Sequence, residues 1–211
     1  MSTATVPPAN LFRRAAGLFC RWFAPGTEWG RESLWRQRQS EAVKEAGNHR
    51  PFEAEQKLIQ ALEIAESFGE ADGRRLESID NLAAFYESTG SYSQAEPLYR
   101  KVLEIREKEL GPDHFQVADS LNNLALLYYT QGKNQLAEPL LRRLVQLVEK
   151  TRGPQDRELA VCLENYAALM RRLDRKDESD RLRARAKEIR KGRSQESGIR
   201  NQEEGSRKDG G

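Results

Sequence analysis

The sequence contains few of the residues from which catalytic and metal-binding sites are usually built. Its 211 residues include only two histidines and two cysteines. Cys20 and Cys162 are far apart in sequence and suggest no disulfide framework, which is typical of a protein in a reducing compartment. No Cys/His cluster has the spacing of metal ligands, and no Gly-rich loop could hold a phosphate. We therefore expect no enzyme activity, no cofactor and no metal.

The individual reactive residues have structural interpretations. His114 lies in the connection "GPDH", where it is expected to be a loop or helix-entry residue. Cys162 falls on a predicted helix and is expected to be a small side chain in the core or lining a groove. Neither residue has neighbours in sequence that would make it part of a catalytic constellation.

Long hydrophobic runs are also missing, as are the residues typical of strands. No apolar stretch approaches the roughly 18 residues that a membrane span requires. Aromatic residues make up 8% of the chain and β-branched runs are scarce, which argues against strands. Hydrophobic residues at 37% and charged residues at 32% fit an elongated helical protein better than a compact globule.

Charge is distributed unevenly although the net charge is only +2. Residues 1–50 carry 8 basic and 4 acidic side chains, residues 51–170 carry 13 and 20, and residues 171–211 carry 14 and 9. An acidic middle is thus flanked by two basic ends. In residues 171–191 the Arg and Lys residues are interleaved with Asp and Glu, and no series of aromatic residues is available for base stacking. Nucleic-acid binding is therefore not expected.

Two nearly identical segments reveal an internal repeat. "NLAAFYESTG" begins at Asn81, and "NLALLYYTQG" begins 42 residues later at Asn123. "AEPLYRKVLEIREKELGP" at Ala95 recurs as "AEPLLRRLVQLVEKTRGP" at Ala137, again 42 residues on. Further steps reach "ENYAALM" and "AEQKLIQALEIAE", so about four units are present. Self-similarity with this period predicts a solenoid.

Each unit is predicted to be a pair of helices. In the second of the four repeats, the first helix runs from about 76 to 89 and ends at Gly90, which suits a left-handed cap. The second helix runs from about 93 to 110, with Pro97 near its first turn. Asp113 is then expected to cap the next helix, with Gln116 completing a capping box.

Small residues recur where the two helices of a pair should touch. Ala83 pairs with Ala95 in one unit, and Ala125 pairs with Ala137 in the next. The last unit has Ala167 with Ser179 at these positions. Small side chains let two helices approach closely.

This pattern resembles the tetratricopeptide repeat, and the 42-residue period resembles the kinesin-light-chain type of that repeat. The resemblance covers about residues 50–190 and implies an all-α fold, a right-handed superhelical solenoid of antiparallel helix pairs. The residues that carry it are Leu82, Ala83, Tyr86, Gly90, Tyr92, Ala95 and Tyr99, and in the next unit Leu124, Ala125, Tyr128, Gly132 and Ala137.

The ends of the chain depart from the pattern. The repeat domain is expected over residues 33–192, with its first and last pairs degenerate and the register of the first helix ambiguous. In the last pair, Asp174 replaces the glycine and charged residues surround one apolar stripe, as a terminal capping helix requires. Residues 193–211 contain one large apolar side chain, Ile199, and are expected to be disordered.

Residues 1–32 contain an amphipathic segment over positions 11–23 whose apolar side chains recur on one helical face. Three interpretations remain: a cap on the open end of the solenoid, a helix on a membrane surface, or a cleaved targeting sequence. The apolar face consists of Leu11, Phe12, Leu18, Phe19, Trp22 and Phe23.

The family resemblance implies a non-enzymatic scaffold or adaptor, expected to be cytoplasmic, that binds a protein or peptide in the groove lined by the first helices of the pairs. The alternative is a membrane-peripheral or organelle-targeted assembly factor anchored by residues 11–23. A recurring asparagine, Asn81, Asn123 and Asn165, is predicted to hold a peptide backbone, because an amide offers both a donor and an acceptor. The predicted groove further contains Glu77, Asp80, Glu87 and Asp119 toward its acidic end, Asn122 and Tyr129 in its middle, and Arg171 and Arg172 at its basic end.

Overall fold

The structure, a computed structural model, describes the backbone of residues 27–208 and the side chains of residues 27–192. This part of the chain is all-α, as predicted, with eight helices and no strand. The predicted amphipathic helix over 11–23 and Cys20 lie outside the described residues. The helices are α1 (Glu28–Gly47), α2 (Pro51–Glu66), α3 (Gly73–Ser88), α4 (Tyr92–Leu110), α5 (Phe115–Thr130), α6 (Asn134–Arg152), α7 (Arg157–Arg172) and α8 (Lys176–Lys208).

The chain divides into two compact units, Met1–Phe85 and Tyr86–Gly211. In the first unit α1 packs against α2. The largest buried side chain of α1 is Trp35, which lies against Ala61 and Ala65 of α2. Its indole N–H donates to the Ser78 hydroxyl of α3 at 2.7 Å. One aromatic ring thus contacts α2 and α3 from α1.

The structure resolves the register of the first helix pair. Ala42 and Ala54 are buried, and they stand 41 residues before Ala83 and Ala95. The first pair therefore repeats with a period one residue shorter than the others. The helix begins at Glu28, upstream of the predicted start at 33, because the Thr27 hydroxyl accepts the Gly30 N–H at 3.0 Å and caps it.

The second unit stacks helices in chain order. α4 packs against α5, α5 against α6, α6 against α7, and α7 against α8. Its core is aliphatic, with Leu121, Leu127, Leu144 and Leu163 at most 1% exposed. The small residues predicted at the helix contacts are buried throughout, and in the last pair the Ser179 hydroxyl donates to the Ala167 carbonyl at 2.8 Å.

The four first helices end in the same left-handed backbone conformation with different residues. Gly90 and Gly132 have φ of 76° and 75°, and His49 and Asp174 have φ of 58° and 59°. Only glycine adopts this region without steric cost, although His and Asp enter it more readily than most residues. The degenerate outer pairs thus keep the turn and lose the glycine.

The cap of α5 differs from the prediction. His114, not Asp113, is the N-cap, and its Nδ1 accepts the Gln116 N–H at 3.3 Å. Asp113 lies one residue too early and instead pairs with Lys150 at 2.7 Å. Because the imidazole takes the place of a Ser, Thr or Asp cap, the sequence pattern did not reveal it.

The backbone of the last helix, α8, is helical to Lys208. The disorder expected for residues 193–211 stays a prediction. Lys, Arg, Glu and Gln have good helix propensity, so a polar segment can extend an existing helix without a core of its own. The expectation that residues 193–211 add little to stability stays a prediction.

Ion pairs that link the second helix of one pair to the next pair recur with the 42-residue period of the sequence. Lys133 pairs with Glu96, and 42 residues on Arg175 pairs with Glu138. Likewise Arg143 pairs with Glu107, and 42 residues on Arg185 pairs with Glu149. These pairs are partly exposed, so each contributes little to stability, but they connect α4 to α6 and its preceding turn, and α6 to α8 and its preceding turn.

A candidate peptide-binding surface on α5 and α7

One face of α5 and of α7 carries polar and aromatic side chains that are exposed or half-buried. On α5 this face includes Asp119, Asn122, Asn123 and Tyr129, which lie on one side of the helix. On α7 the equivalent face includes Asn165, Arg171 and Arg172. We call these seven residues the α5–α7 surface.

The recurring asparagines differ in their contacts. The Asn165 amide N–H donates to Asn122 Oδ1 at 3.1 Å, which joins α7 to α5. In the first unit the Asn81 amide donates to Gln39 Oε1 at 3.3 Å, which joins α3 to α1. Asn123 makes no side-chain hydrogen bond within the described residues. Two of the three asparagines therefore bridge neighbouring helices, and Asn123 keeps its amide available.

Tyr129 and Arg172 form the other direct contact on this surface. The Arg172 guanidinium lies 4.6 Å from the centre of the Tyr129 ring and donates to the Tyr129 carbonyl oxygen at 2.5 Å. Arg171 beside it is exposed, and neither arginine forms an ion pair within residues 27–192. The result is a cationic end of the surface without a bound carboxylate, beside an aromatic ring.

The predicted acidic residues occupy varied environments. Glu77 and Asp119 are exposed, while Asp80 is half-buried. Glu87 is half-buried, and its carboxylate accepts the Tyr99 hydroxyl at 3.0 Å. Glu87 therefore has a contact with the following helix that the groove prediction did not include. The predicted charge gradient from Glu77 to Arg172 stays a prediction, because these residues belong to different units.

The sequence analysis missed a polar cluster between α4 and α5. The Tyr128 hydroxyl donates to Glu96 at 2.9 Å and accepts from Arg100 at 2.6 Å. Burial, and then the hydrogen bond to Glu96, raises the pKa of Tyr128. Burial would raise the pKa of Glu96, but hydrogen bonds from Tyr128 and Lys133 hold it below its usual value. The signal was present in the sequence, because Glu96 and Arg100 stand one helical turn apart.

The potentially reactive side chains of the described region have structural roles. Burial raises the pKa of the Cys162 thiol to about 12, so the nucleophilic thiolate is disfavoured at neutral pH. His114 caps α5 with its ring centre 4.6 Å from that of Phe115, and His49 forms an exposed turn. Within the described residues no cluster of three or more His, Cys, Asp or Glu could hold a metal ion.

A membrane span requires a long and strongly apolar helix. Among residues 27–208, no helix combines the length and the hydrophobicity needed to cross a bilayer. The membrane-surface interpretation depends on residues 11–23, which lie outside the described part.

Solved structures share this fold. BtubC (BKLC) from P. vanneervenii is 23% identical, with a TM-score of 0.71 over 87% of this chain and 75% of that one. A crystal structure of kinesin-light-chain TPR-like repeats from Podosopora anserina is 21% identical, with a TM-score of 0.64 over 88% and 97%. MamA is 11% identical, with a TM-score of 0.56 over 90% and 99%. At these identities the similarity concerns the fold.

No protein of curated function matches the sequence. The family model of the tetratricopeptide repeat matches twice, over residues 75–145 and 116–192. Together these matches span more than half of the chain. They cover nearly all of the last three helix pairs, with the left-handed turns at Gly90, Gly132 and Asp174 and the small buried residues from Ala83 to Ser179. The chain belongs to the tetratricopeptide repeat family.

Proposed function

We propose that this protein is a non-enzymatic scaffold that holds a partner peptide on the α5–α7 surface. The observation that carries the proposal is the pair of arginines, Arg171 and Arg172. Within residues 27–192 they have no carboxylate partner, and they stand on the same surface as the Asn123 amide, which makes no hydrogen bond in that part of the chain. A carboxylate of the peptide, from an acidic side chain or from its C-terminus, would bind the arginines.

The spacing of these groups suits an extended peptide. Asn123 and Tyr129 are six residues apart on α5, which is about 9 Å along the helix axis. About three residues of extended chain cover that distance. The Asn123 amide would bond to the backbone of the peptide, and the Tyr129 ring would provide an apolar contact between the two polar anchors. Family membership supports a protein ligand, since repeat arrays present extended binding surfaces.

The test uses peptides selected from a random display library against the full-length chain. The affinity of a selected peptide is then measured by fluorescence anisotropy for the wild type, Asn123→Ala and Arg171→Ala. We expect each substitution to weaken binding about tenfold or more while the melting midpoint is unchanged, because neither side chain has a hydrogen-bond or ion-pair partner among the described side chains.

Asn165→Ala is the matched control. It removes an amide that bridges α7 to α5, so it should lower stability by about 1 kcal/mol. Asn81→Ala tests the same bridging role in the first unit. Selected peptides that bind Asn123→Ala and Arg171→Ala as tightly as the wild type would contradict the proposed surface.

A further inference from the structure

α8 is the second helix of the last pair, and α6 is its equivalent in the preceding pair. The two helices differ at alternate positions among those that are buried in α6. Six positions of α6 are buried: Ala137, Leu141, Leu144, Val145, Leu147 and Val148. The residues 42 positions later on α8 are Ser179, Arg183, Ala186, Lys187, Ile189 and Arg190. Three of these are again buried, and the other three are exposed and basic.

The two sets face different neighbours. Ser179 donates to the Ala167 carbonyl, so the buried set of α8 faces α7, its own partner in the pair. On α6 the other set, Leu141, Val145 and Val148, is covered because α7 of the next pair packs against α6. On α8 the basic set therefore faces the side on which the first helix of a further pair would lie.

A groove is present at this position. It has a volume of about 570 Å³ and is lined by Glu164, Arg183, Lys187, Arg190 and Lys191. We call it the terminal groove. Glu164 of α7 is the equivalent of Asn122 of α5. Asn122 accepts a hydrogen bond from Asn165 of α7, the first helix of the next pair. The terminal groove thus reproduces the seat of α7, with basic side chains in place of the apolar ones.

The charges of the groove are only partly neutralised. Arg190 donates to Glu164 at 2.7 Å, and Lys191 lies 3.4 Å from Glu188. Arg183 and Lys187 form no ion pair within residues 27–192. On another face of the same helix, Arg185 pairs with Glu149 of α6. Two of the basic side chains that line the groove, Arg183 and Lys187, therefore keep their positive charge unpaired within the described residues.

We propose that the terminal groove binds an acidic amphipathic helix of a partner protein, in the position that the first helix of a fifth pair would take. Glutamates on that helix would pair with Arg183, Lys187 and Arg190, which recur at i, i+4 and i+7 and so lie on one face. A helix is favoured over nucleic acid because the equivalent seat in the preceding pair is occupied by a helix. This surface is separate from the α5–α7 surface and does not depend on it.

The probe is a fluorescein-labelled, alanine-based peptide of about 20 residues, long enough to form helix. It carries glutamates at i, i+4 and i+7, repeated along one face. A matched peptide has glutamine at those positions. Binding to the full-length chain is measured by fluorescence anisotropy at low salt, and we expect the glutamate peptide to bind at least about tenfold more tightly.

Two double variants test the location. Arg183→Glu with Lys187→Glu reverses the charge of the groove. Lys176→Glu with Arg181→Glu makes the same change of charge on α8 at exposed positions outside it. We expect the first variant to lose at least about tenfold in affinity and the second to change by about twofold or less. Arg183→Gln with Lys187→Gln, together with a melting curve, covers the case in which charge reversal disturbs folding.

Equal losses in both charge-reversed variants would overturn the proposal, because the attraction would then be a general one. Unchanged binding in the groove variants would do the same. Equally tight binding of a single-stranded DNA oligonucleotide, lost in the same groove variant, would show a polyanion site and overturn the choice of a helix. The library peptides of the α5–α7 surface should bind the groove variants normally, so the two surfaces can fail independently.

Discussion

The inner and outer helix pairs make the same turn with different residues. The inner pairs use Gly90 and Gly132, whereas the outer pairs place His49 and Asp174 at φ values within 20° of the glycines. The left-handed conformation therefore recurs in all four turns without depending on glycine, and glycine is the residue that adopts it at least cost. In the outer pairs a polar residue, His49 or Asp174, adopts this strained conformation.

The two outer pairs differ from each other in how much their first helices bury. α1, in the first pair, buries only Gly30, Trp35 and Ala42. α7 buries eight residues, including Leu159, Leu163 and Met170 at 0% exposure. α7 lies between α6 and α8, so two sides of it are covered by helices. Stability in α1 therefore depends more on one aromatic ring and on polar contacts.

The largest expected effect is that of Leu163→Ala in α7. The side chain is fully buried, and its loss leaves a cavity, so we expect a decrease of about 2–5 kcal/mol in the free energy of unfolding. Leu34→Ala in α1 is the matched control, since Leu34 is only half-buried. Urea denaturation measures the free energy of unfolding of both variants, and a similar loss in the two would remove the contrast between α7 and α1.

Enlarging the small residues at the contacts should have the next largest effect. Ala83→Leu and Ala125→Leu place a branched side chain at positions of 0% exposure, and overpacking should cost about 1–3 kcal/mol each. Ala84→Leu is the control, because Ala84 is exposed on the same helix as Ala83. An unchanged melting midpoint in either buried variant would show that these helices do not depend on small residues.

Exchanges at the turns test the comparison of glycines directly. Nothing lies within 4 Å of a Cβ added to Gly132, so Gly132→Ala should destabilise by about 1 kcal/mol through its backbone alone. Asp174→Gly and His49→Gly should stabilise by up to about 1 kcal/mol, since they relieve the same strain. Thermal melts of the three variants show whether each substitution raises or lowers the melting midpoint. A lower midpoint with glycine at 49 or 174 would contradict the claim that the left-handed backbone is strained at these two positions.

The smallest expected effect is on the pH dependence of the first pair. A hydrogen bond from Lys57, followed by those from Gln37 and Arg38, lowers the pKa of Glu41 from 4.5 to about 2. A carboxyl with a lowered pKa stabilises the folded state above the unfolded value, and that contribution is lost as the pH falls from 4.5 to about 2.

Glu41→Gln should therefore reduce the decrease in melting midpoint over this pH range. The change should be small, because the carboxylate is near solvent. Glu45→Gln on the same helix is the control. An identical pH profile for wild type and Glu41→Gln would show that the Lys57 contact contributes nothing.

The sequence predicted the helix pairs, the central register and the small buried residues, because these follow from apolar spacing and from a period that repeats. It did not predict the start of α1 at Glu28, since a helix with three buried residues shows little periodicity. The His114 cap was missed because histidine is uncommon at that position. The bridges from Asn81 and Asn165 depend on which residues of neighbouring helices come opposite one another, and a single sequence does not determine that.

The repeated ion pairs make the chain suited to lengthening by tandem duplication. If residues 111–152 were copied in place, Lys133 of the new copy would meet Glu138 and its Arg143 would meet Glu149, since these are the equivalents of Glu96 and Glu107. A gene encoding such units could gain a pair in one recombination event with its surface contacts already complementary. The exception is Ser120, whose hydroxyl accepts from Arg106 at 2.6 Å but would face Val148 in the duplicated array. A duplication would therefore leave one buried hydroxyl without that donor, and a later substitution such as Ser120→Cys, matching Cys162, would remove the mismatch.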